Sequence, residues 1–245
     1  MATDPSANDI QAALQHGELE LKGQFMLGSN YTFLVTVHHA GREFPAVYKP
    51  LRGEQPLWDF PDSTLAAREV AAYVVSEALG FHIVPYTILR ADGPFYGPGS
   101  LQQYVEYDPE YHYFNFSDED KDRLRPVVLF DLLVNNADRK GSHVLIEKGT
   151  RKLWAIDHGL CFHVEDKLRT VLWDFAGEPI PNDLLECIAT LPDQLASGAR
   201  VRLALRPYLE SREVAALAAR TRALLQSRLF PFRPRDRRAY PYPPV

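Results

Sequence analysis

The chain has 245 residues, 46% of them hydrophobic and 24% charged, with a formal net charge of −5. That length accommodates one large domain or two lobes with separate cores, and the composition is that of a folded globular protein, which excludes the disordered and fibrous classes. The acidic balance argues against nucleic acid or an anionic membrane as partner, since both reward a basic face through counterion release.

The opening stretch MATDPSANDIQAALQHG has neither the basic start nor the apolar run of a secretory signal. No segment approaches the ~18 apolar residues needed to cross a bilayer. The expectation is a cytoplasmic protein with no integral membrane association. Cys161 and Cys187 show no paired spacing and are expected as reduced core thiols.

In chain order, residues 9 to 16 read as a short helix closed by Gly17. YTFLVTV, at 31 to 37, alternates Tyr31, Phe33, Val35 and Val37 against Thr32, Leu34 and Thr36; a turn at His39-Ala40-Gly41 leads into a second strand, EFPAVYK. After a loop over 50 to 62, Ser63 is expected to cap the helix TLAAREVAAYVVSEAL, which ends at Gly80. IVPYTILR and LQQYVE read as strands. From Ser117 the pattern turns helical, with SDEDKDRLR entering the apolar VVLFDLLV, where Pro126 is expected to introduce a kink. VLIEKGTRKLWAI reads as a hairpin turning at Lys148-Gly149-Thr150, and further helices are expected over 181 to 196 and from a Ser211 cap to Arg228. A strand-rich part followed by a helix-rich part gives an α+β protein of two lobes. The tail RPRDRRAYPYPPV lacks periodicity and is expected to fray, a docked arm being the alternative.

The stretch NNADRKGSHV, from Asn135 to Val144, concentrates polar side chains that handle protons and metals. With the following hairpin centred near Thr150, His143 and Asp157 face one another at its open end, close enough for one cation to touch both. Asp138 lies on the loop leading into the same hairpin. Asp157 follows an apolar strand in AIDHGL and precedes Gly159. From such a position a carboxylate can turn toward a divalent ion bound to phosphate oxygens.

Taken in order, Lys49 in AVYKPL, Glu69 in AAREVAAY, NADRKGSH and Asp157 in AIDHGL resemble the catalytic core of the protein-kinase-like superfamily. The branch most similar holds the phosphatidylinositol 3- and 4-kinases and the bacterial HipA-like kinases, and the likeness runs from about Gly17 to about Phe175. The resemblance implies a two-lobed protein-kinase-like fold: an N-terminal helix and strand-rich N-lobe over 1–100, a hinge over 101–106, a mainly helical C-lobe over 107–230 and a Pro/Arg-rich tail over 231–245. It implies ATP with Mg²⁺ or Mn²⁺. Lys49 would contact the α- and β-phosphates and Glu69 would hold it by an ion pair. Gly28, Ser29 and Asn30 would cover the phosphates with backbone N–H groups. The backbone of Gln103, Tyr104 and Val105 would face adenine. Asp138 would orient and deprotonate the acceptor hydroxyl, and His143 and Asp157 would hold the metal.

Two departures stand out. His143 occupies a position where most of these kinases have Asn, which turns metal preference toward Mn²⁺ or other transition ions. The phosphate loop carries one Gly near its tip rather than a G-x-G-x-x-G run. The implied activity is transfer of the γ-phosphoryl group of ATP to a hydroxyl of a protein or small molecule. In HVEDKLRTVLW, Glu165 and Asp166 offset Lys167 and Arg169, a poor match to a phosphoinositide headgroup, so a protein Ser or Thr is the expected acceptor. The alternatives are a lipid kinase, a nucleotide-binding pseudokinase or regulatory module, AMP transfer, and a metal-dependent phosphohydrolase built on Asp138, His143 and Asp157. The last leaves Lys49 and Glu69 without a role.

Overall fold

The computed structural model describes residues 6–25, 30–94 and 96–245. Its first helix, α1 (Ala7–His16), starts at a capping box: Ser6 Oγ accepts from the Asp9 amide, and the Asp9 carboxylate accepts from the Ser6 amide. Ala13 and Leu14 on its inner side join the core of a five-stranded antiparallel sheet. The sheet comprises β1 (Glu18–Gln24), β2 (Phe33–His39), β3 (Arg42–Pro50), β4 (Thr87–Gly93) and β5 (Gly97–Gln103), in the order β1-β2-β3-β5-β4. The expected alternation places Phe33, Val35 and Val37 inward against Phe44, Ala46 and Tyr48. The β2–β3 turn uses Ala40 and Gly41 at φ +50° and +73°, the two positive values that a tight two-residue hairpin favours. β1 was not anticipated: it is an edge strand with mostly exposed side chains.

Helix α2 (Leu65–Ala78) follows the loop after β3. Ser63 does not cap it. Ser63 sits one residue too far out, in the left-handed region at φ +59°, and the Glu54 carboxylate accepts from the Leu65 and Ala66 amides instead, at 3.2 and 2.9 Å. An acidic side chain at a helix N-terminus satisfies those amides and interacts favourably with the helix dipole.

The helical half begins with α3 (Asp118–Asp122) and α4 (Arg125–Val134). Pro126 falls in the first turn of α4, where its missing N–H is not needed, so it starts a new helix rather than kinking a long one. The hairpin β6 (Val144–Ile146) and β7 (Leu153–Ala155) comes next, then α5 (Asn182–Ala189), α6 (Leu191–Gln194), α7 (Arg200–Leu205) and α8 (Ser211–Ser227). A capping box between Glu210 and Glu213 starts α8, in place of the expected Ser211 cap. Leu129, Phe130 and Leu133 of α4 are fully buried at the centre of the larger core. Arg68 ties α2 to α8 through Glu213 at 2.5 Å and reaches the Cys161 carbonyl at 2.6 Å. Cys161 is buried as expected, whereas Cys187 is exposed.

Two further expectations are corrected. Val144 pairs with Ala155, so Ile156 and not Asp157 is opposite His143; the Ile156 amide donates to the His143 carbonyl at 3.0 Å. Residues 101–103 belong to β5. The tail does not fray. The Ala239 carbonyl accepts from the Thr170 amide at 3.1 Å, and the Pro244 carbonyl accepts from the Gly141 amide at 2.8 Å. Among the described residues, no helix is long and apolar enough to cross a membrane.

Gly99 of β5 lies opposite Pro50, next to the Lys49 pair. A Cβ there would stand 2.5 Å from the Lys49 carbonyl oxygen and 2.7 Å from Pro50 Cα. Both are backbone atoms that cannot step aside, so Gly99→Ala is expected to cost ~1–3 kcal/mol in urea unfolding. Gly23→Ala, with no atom within 4 Å of the added carbon, is the near-neutral control.

Candidate active site

The alternation of β3 turns Lys49 away from the Tyr48 side of the sheet, toward α2 and the helical half. Its ammonium pairs with Glu69 Oε1 and with Asp157 Oδ1, the latter at 3.0 Å. The second Glu69 oxygen accepts from the His158 amide at 2.9 Å, so one carboxylate fixes both the lysine and the turn carrying Asp157. Burial works against the charge on Lys49, but Asp157 and Glu69 outweigh it and hold its pKa above the ordinary range. Asp157 is likewise opposed by the crowding around it. Lys49 and His143 nevertheless hold its carboxyl well below the usual carboxylate range. Burial raises the pKa of Glu69, with Lys49 pulling the other way.

His143 and Asp157 do meet, although not as a ladder pair. Asp157 takes a left-handed conformation at φ +61°, and His143 Nε2 lies 3.3 Å from its Oδ2. A non-glycine residue held in that region is a local strain of the kind concentrated at functional sites. Burial pushes the His143 pKa down to about 4, which leaves a neutral imidazole at neutral pH. A neutral ring nitrogen beside an ionised carboxylate is a fitting donor pair for a divalent ion whose other positions are taken by phosphate oxygens and water. No group of three or more His, Cys, Asp or Glu side chains gathers as a metal cluster among the described residues.

Asp138 sits across the cleft on the loop after α4. Its amide donates to Asn136 Oδ1 at 3.0 Å, and Lys140 Nζ stands 3.7 Å from its carboxylate. Burial raises its pKa to about 6, with Lys140 opposing and Asp157 reinforcing the shift. The cleft between the two halves encloses about 120 Å³ and is lined by Lys49, Glu54, Glu69, Asp138, Lys140 and Asp157, with Asn30, Tyr31 and Thr32 on the sheet side. Lys49, Glu69, Asp138 and Asp157 therefore converge on one cavity, and His143 stands directly behind Asp157. Gly28 and Ser29 lie outside the described residues, while Asn30 Oδ1 accepts from the Gln55 amide at 2.7 Å. Gln103, Tyr104 and Val105 do not line the cleft. The Gln103 and Tyr104 amides are bonded to the Tyr86 and Pro45 carbonyls at 2.8 and 3.2 Å, and Val105 is buried against Leu145 and Trp154.

Beneath these groups lies a support that sequence reasoning missed. Arg139 is fully buried. It bonds Asp131 through Nε at 2.8 Å and Nη2 at 2.9 Å, and Nη2 also meets His158 Nε2 at 2.8 Å. Nη1 donates to the His143 and Ile156 carbonyls at 3.1 and 2.6 Å. One guanidinium thus orders the loops that bear Asp138, His143 and Asp157. The available signal was Asp131 itself, a lone acid in the apolar run VVLFDLLV. Glu54 and Lys140 are the other cleft residues that were overlooked.

A search among proteins of known sequence and structure gives three findings. Protein Rv2133c of Mycobacterium tuberculosis (strain ATCC 25618 / H37Rv) is 39% identical over 271 aligned positions, which take in 96% of this chain and 95% of that protein. The Helicobacter pylori proinflammatory kinase CtkA superposes with a TM-score of 0.54 at 12% identity, covering 87% of this chain and 93% of that one. Hydra Fam20, in a structure with sugar, gives a TM-score of 0.54 at 15% identity, covering 92% and 89%. No protein-family model matches the chain. The α+β fold is therefore kinase-like.

The Lys49 pair yields a stability test. Lys49→Met strands the Glu69 side chain, only 3% exposed, without its cation. Loss of ~3–5 kcal/mol is expected in chemical denaturation, because an uncompensated buried charge remains. Adding Glu69→Gln, which keeps an acceptor for the His158 amide, is expected to recover most of it.

Proposed function

Since the chain belongs to the same family as Protein Rv2133c of Mycobacterium tuberculosis and has a kinase-like fold around this cleft, we propose that it is an ATP-dependent phosphotransferase of the cytoplasm. It moves the γ-phosphoryl group to a hydroxyl acceptor, with a protein Ser or Thr preferred, and falls in the phosphatidylinositol 3- and 4-kinase-like, HipA-like branch. The observation that carries this reading is Lys49, clamped by Glu69 and Asp157 and sharing one cavity with Asp138.

In this reading Lys49 grips the α- and β-phosphates while Glu69 keeps it from collapsing into solvent. Asn30 lines the sheet side of the cleft, where its backbone N–H would face the phosphates. His143 and Asp157 would hold Mg²⁺ or Mn²⁺, which supplies charge neutralisation to the phosphate oxygens when bound. Asp138 orients the acceptor hydroxyl and takes its proton as the new O–P bond forms and ADP leaves.

The segment after Asp157 favours a protein over a phosphoinositide. Lys167 is paired with Glu165 at 3.2 Å and Asp59 at 3.5 Å, and Arg169 Nε is bonded to the Ala137 carbonyl at 2.6 Å. Both cations that would read an inositol phosphate are committed to the protein itself.

Asp138→Asn is expected to bind ATP as the unaltered chain does, judged by thermal stabilisation, and to lose roughly 10²–10⁴-fold in transfer. Transfer is followed with γ-labelled ATP and Mg²⁺ or Mn²⁺ on lysate protein. Unchanged transfer would remove Asp138 as the base, and no stabilisation of the unaltered chain by ATP would remove the kinase reading. Asp138 accepts a proton only when ionised. With its pKa raised to about 6, ADP release is expected to fall as pH drops through that value and to level off above it.

A further inference from the structure

We propose that the C-terminal arm, residues 231–245, is a built-in brace that holds the Asp138 loop in its working shape, with Arg237 and Pro244 as positioning residues. The activity readout used to test it rests on the phosphotransfer reading above.

The strip from Leu168 to Val171 lies between two partners. On one side is the Asp138 loop. The Arg139 amide donates to the Arg169 carbonyl at 3.0 Å, and the Val171 amide donates to the Arg139 carbonyl at 3.1 Å. The Arg169 amide donates to the Asn136 carbonyl at 2.9 Å, and its Nε donates to the Ala137 carbonyl at 2.6 Å. Each of these bonds lands on a residue flanking Asp138. On the other side is the arm. Ala239 offers its carbonyl to the Thr170 amide at 3.1 Å and to Trp173 Nε1 at 3.3 Å. Arg237 donates to the Leu168 carbonyl at 2.7 Å and pairs with Asp166 at 2.6 Å. The arm also reaches the loop directly, through the Pro244 carbonyl on the Gly141 amide at 2.8 Å, three residues after Asp138.

The chemistry of the arm suits this task. Prolines 231, 234, 241, 243 and 244 lack N–H groups and restrict the unbound chain, so the arm presents carbonyl acceptors with little ordering left to do. Arg233 and Arg238 close on the Tyr240 hydroxyl and carbonyl at 3.1 and 2.8 Å and fold the arm on itself. Gly141 and Thr170 are buried, and without the arm their amides lose their acceptors. Arm residues do not line the cleft, where Asp138 stays accessible, so the arm is a brace and not a plug. It carries no Ser or Thr that the site itself would modify. Protein kinases commonly order the corresponding segment by phosphorylation. Here the chain's own end does so.

The test uses full-length Arg237→Ala and Arg237→Lys, with two readouts. Amide hydrogen exchange over 139–141 and 168–171 is expected to speed up by about tenfold or more in Arg237→Ala, the behaviour of a locally released segment. The kcat for ADP release is expected to fall by about tenfold with KM for ATP unchanged, which separates positioning from nucleotide binding. Arg237→Lys keeps the pair with Asp166 and is expected to restore both. Unchanged exchange in Arg237→Ala overturns the brace, and so does a rise in kcat. If the unaltered chain shows no ATP turnover, the phosphotransfer reading fails alone, and exchange still decides for or against the brace.

Discussion

The structure turns on one ammonium group held by two carboxylates that arrive from different parts of the chain. Lys49 comes from the sheet, Glu69 from α2 and Asp157 from the turn after β7. With His143 neutral, two anions surround one cation, so the cleft carries a net negative charge on the metal side before any ligand arrives. In the phosphotransfer reading proposed above, a divalent cation would offset this charge and let phosphates approach Asp157 and Glu69. The same balance keeps the halves in register, because moving the sheet away from the helices would separate the largely buried pair of Lys49 and Glu69.

A second cation governs the geometry behind the cleft. All five N–H donors of Arg139 have acceptors, which makes its complete burial tolerable and rigidifies every loop that it touches. Asp131 supplies the matching bidentate partner from within α4, so the position of the Asp138 loop is referred back to the centre of the larger core. The lysine faces the ligand space and stays partly accessible, whereas the arginine is sealed and structural. That division follows from the two side chains: a compact, mobile ammonium on one hand and a planar fork of fixed donors on the other.

Much of this was legible in the sequence wherever the signal is local. The β2–β3 hairpin shows as alternation around Ala40-Gly41, and Asp138 and Asp157 show as acids at the ends of apolar segments. Signals that depend on distant partners were not legible. The cap of α2 comes from Glu54, eleven residues before Leu65, and nothing near Ser63 announces it. The β6–β7 register was misplaced by one because Gly149 and Arg151 both take positive φ in the turn, a choice that side-chain pattern does not encode. Arg139 reads by hydropathy as a solvated cation, and only a folded Asp131 makes it a core residue. The tail has no periodicity because it docks through backbone carbonyls and through single arginines such as Arg237, neither of which repeats along the sequence.

The docked carboxyl-terminal end bears on how the protein should be handled. The Pro244 carbonyl accepts from the Gly141 amide, so an affinity tag or fluorescent fusion joined close after it would pull on the loop of Asp138. An added segment belongs ahead of α1, whose Ser6 cap is exposed and does not line the cleft. Preparations labelled at opposite ends are then not equivalent reagents, and a result from one does not carry over to the other.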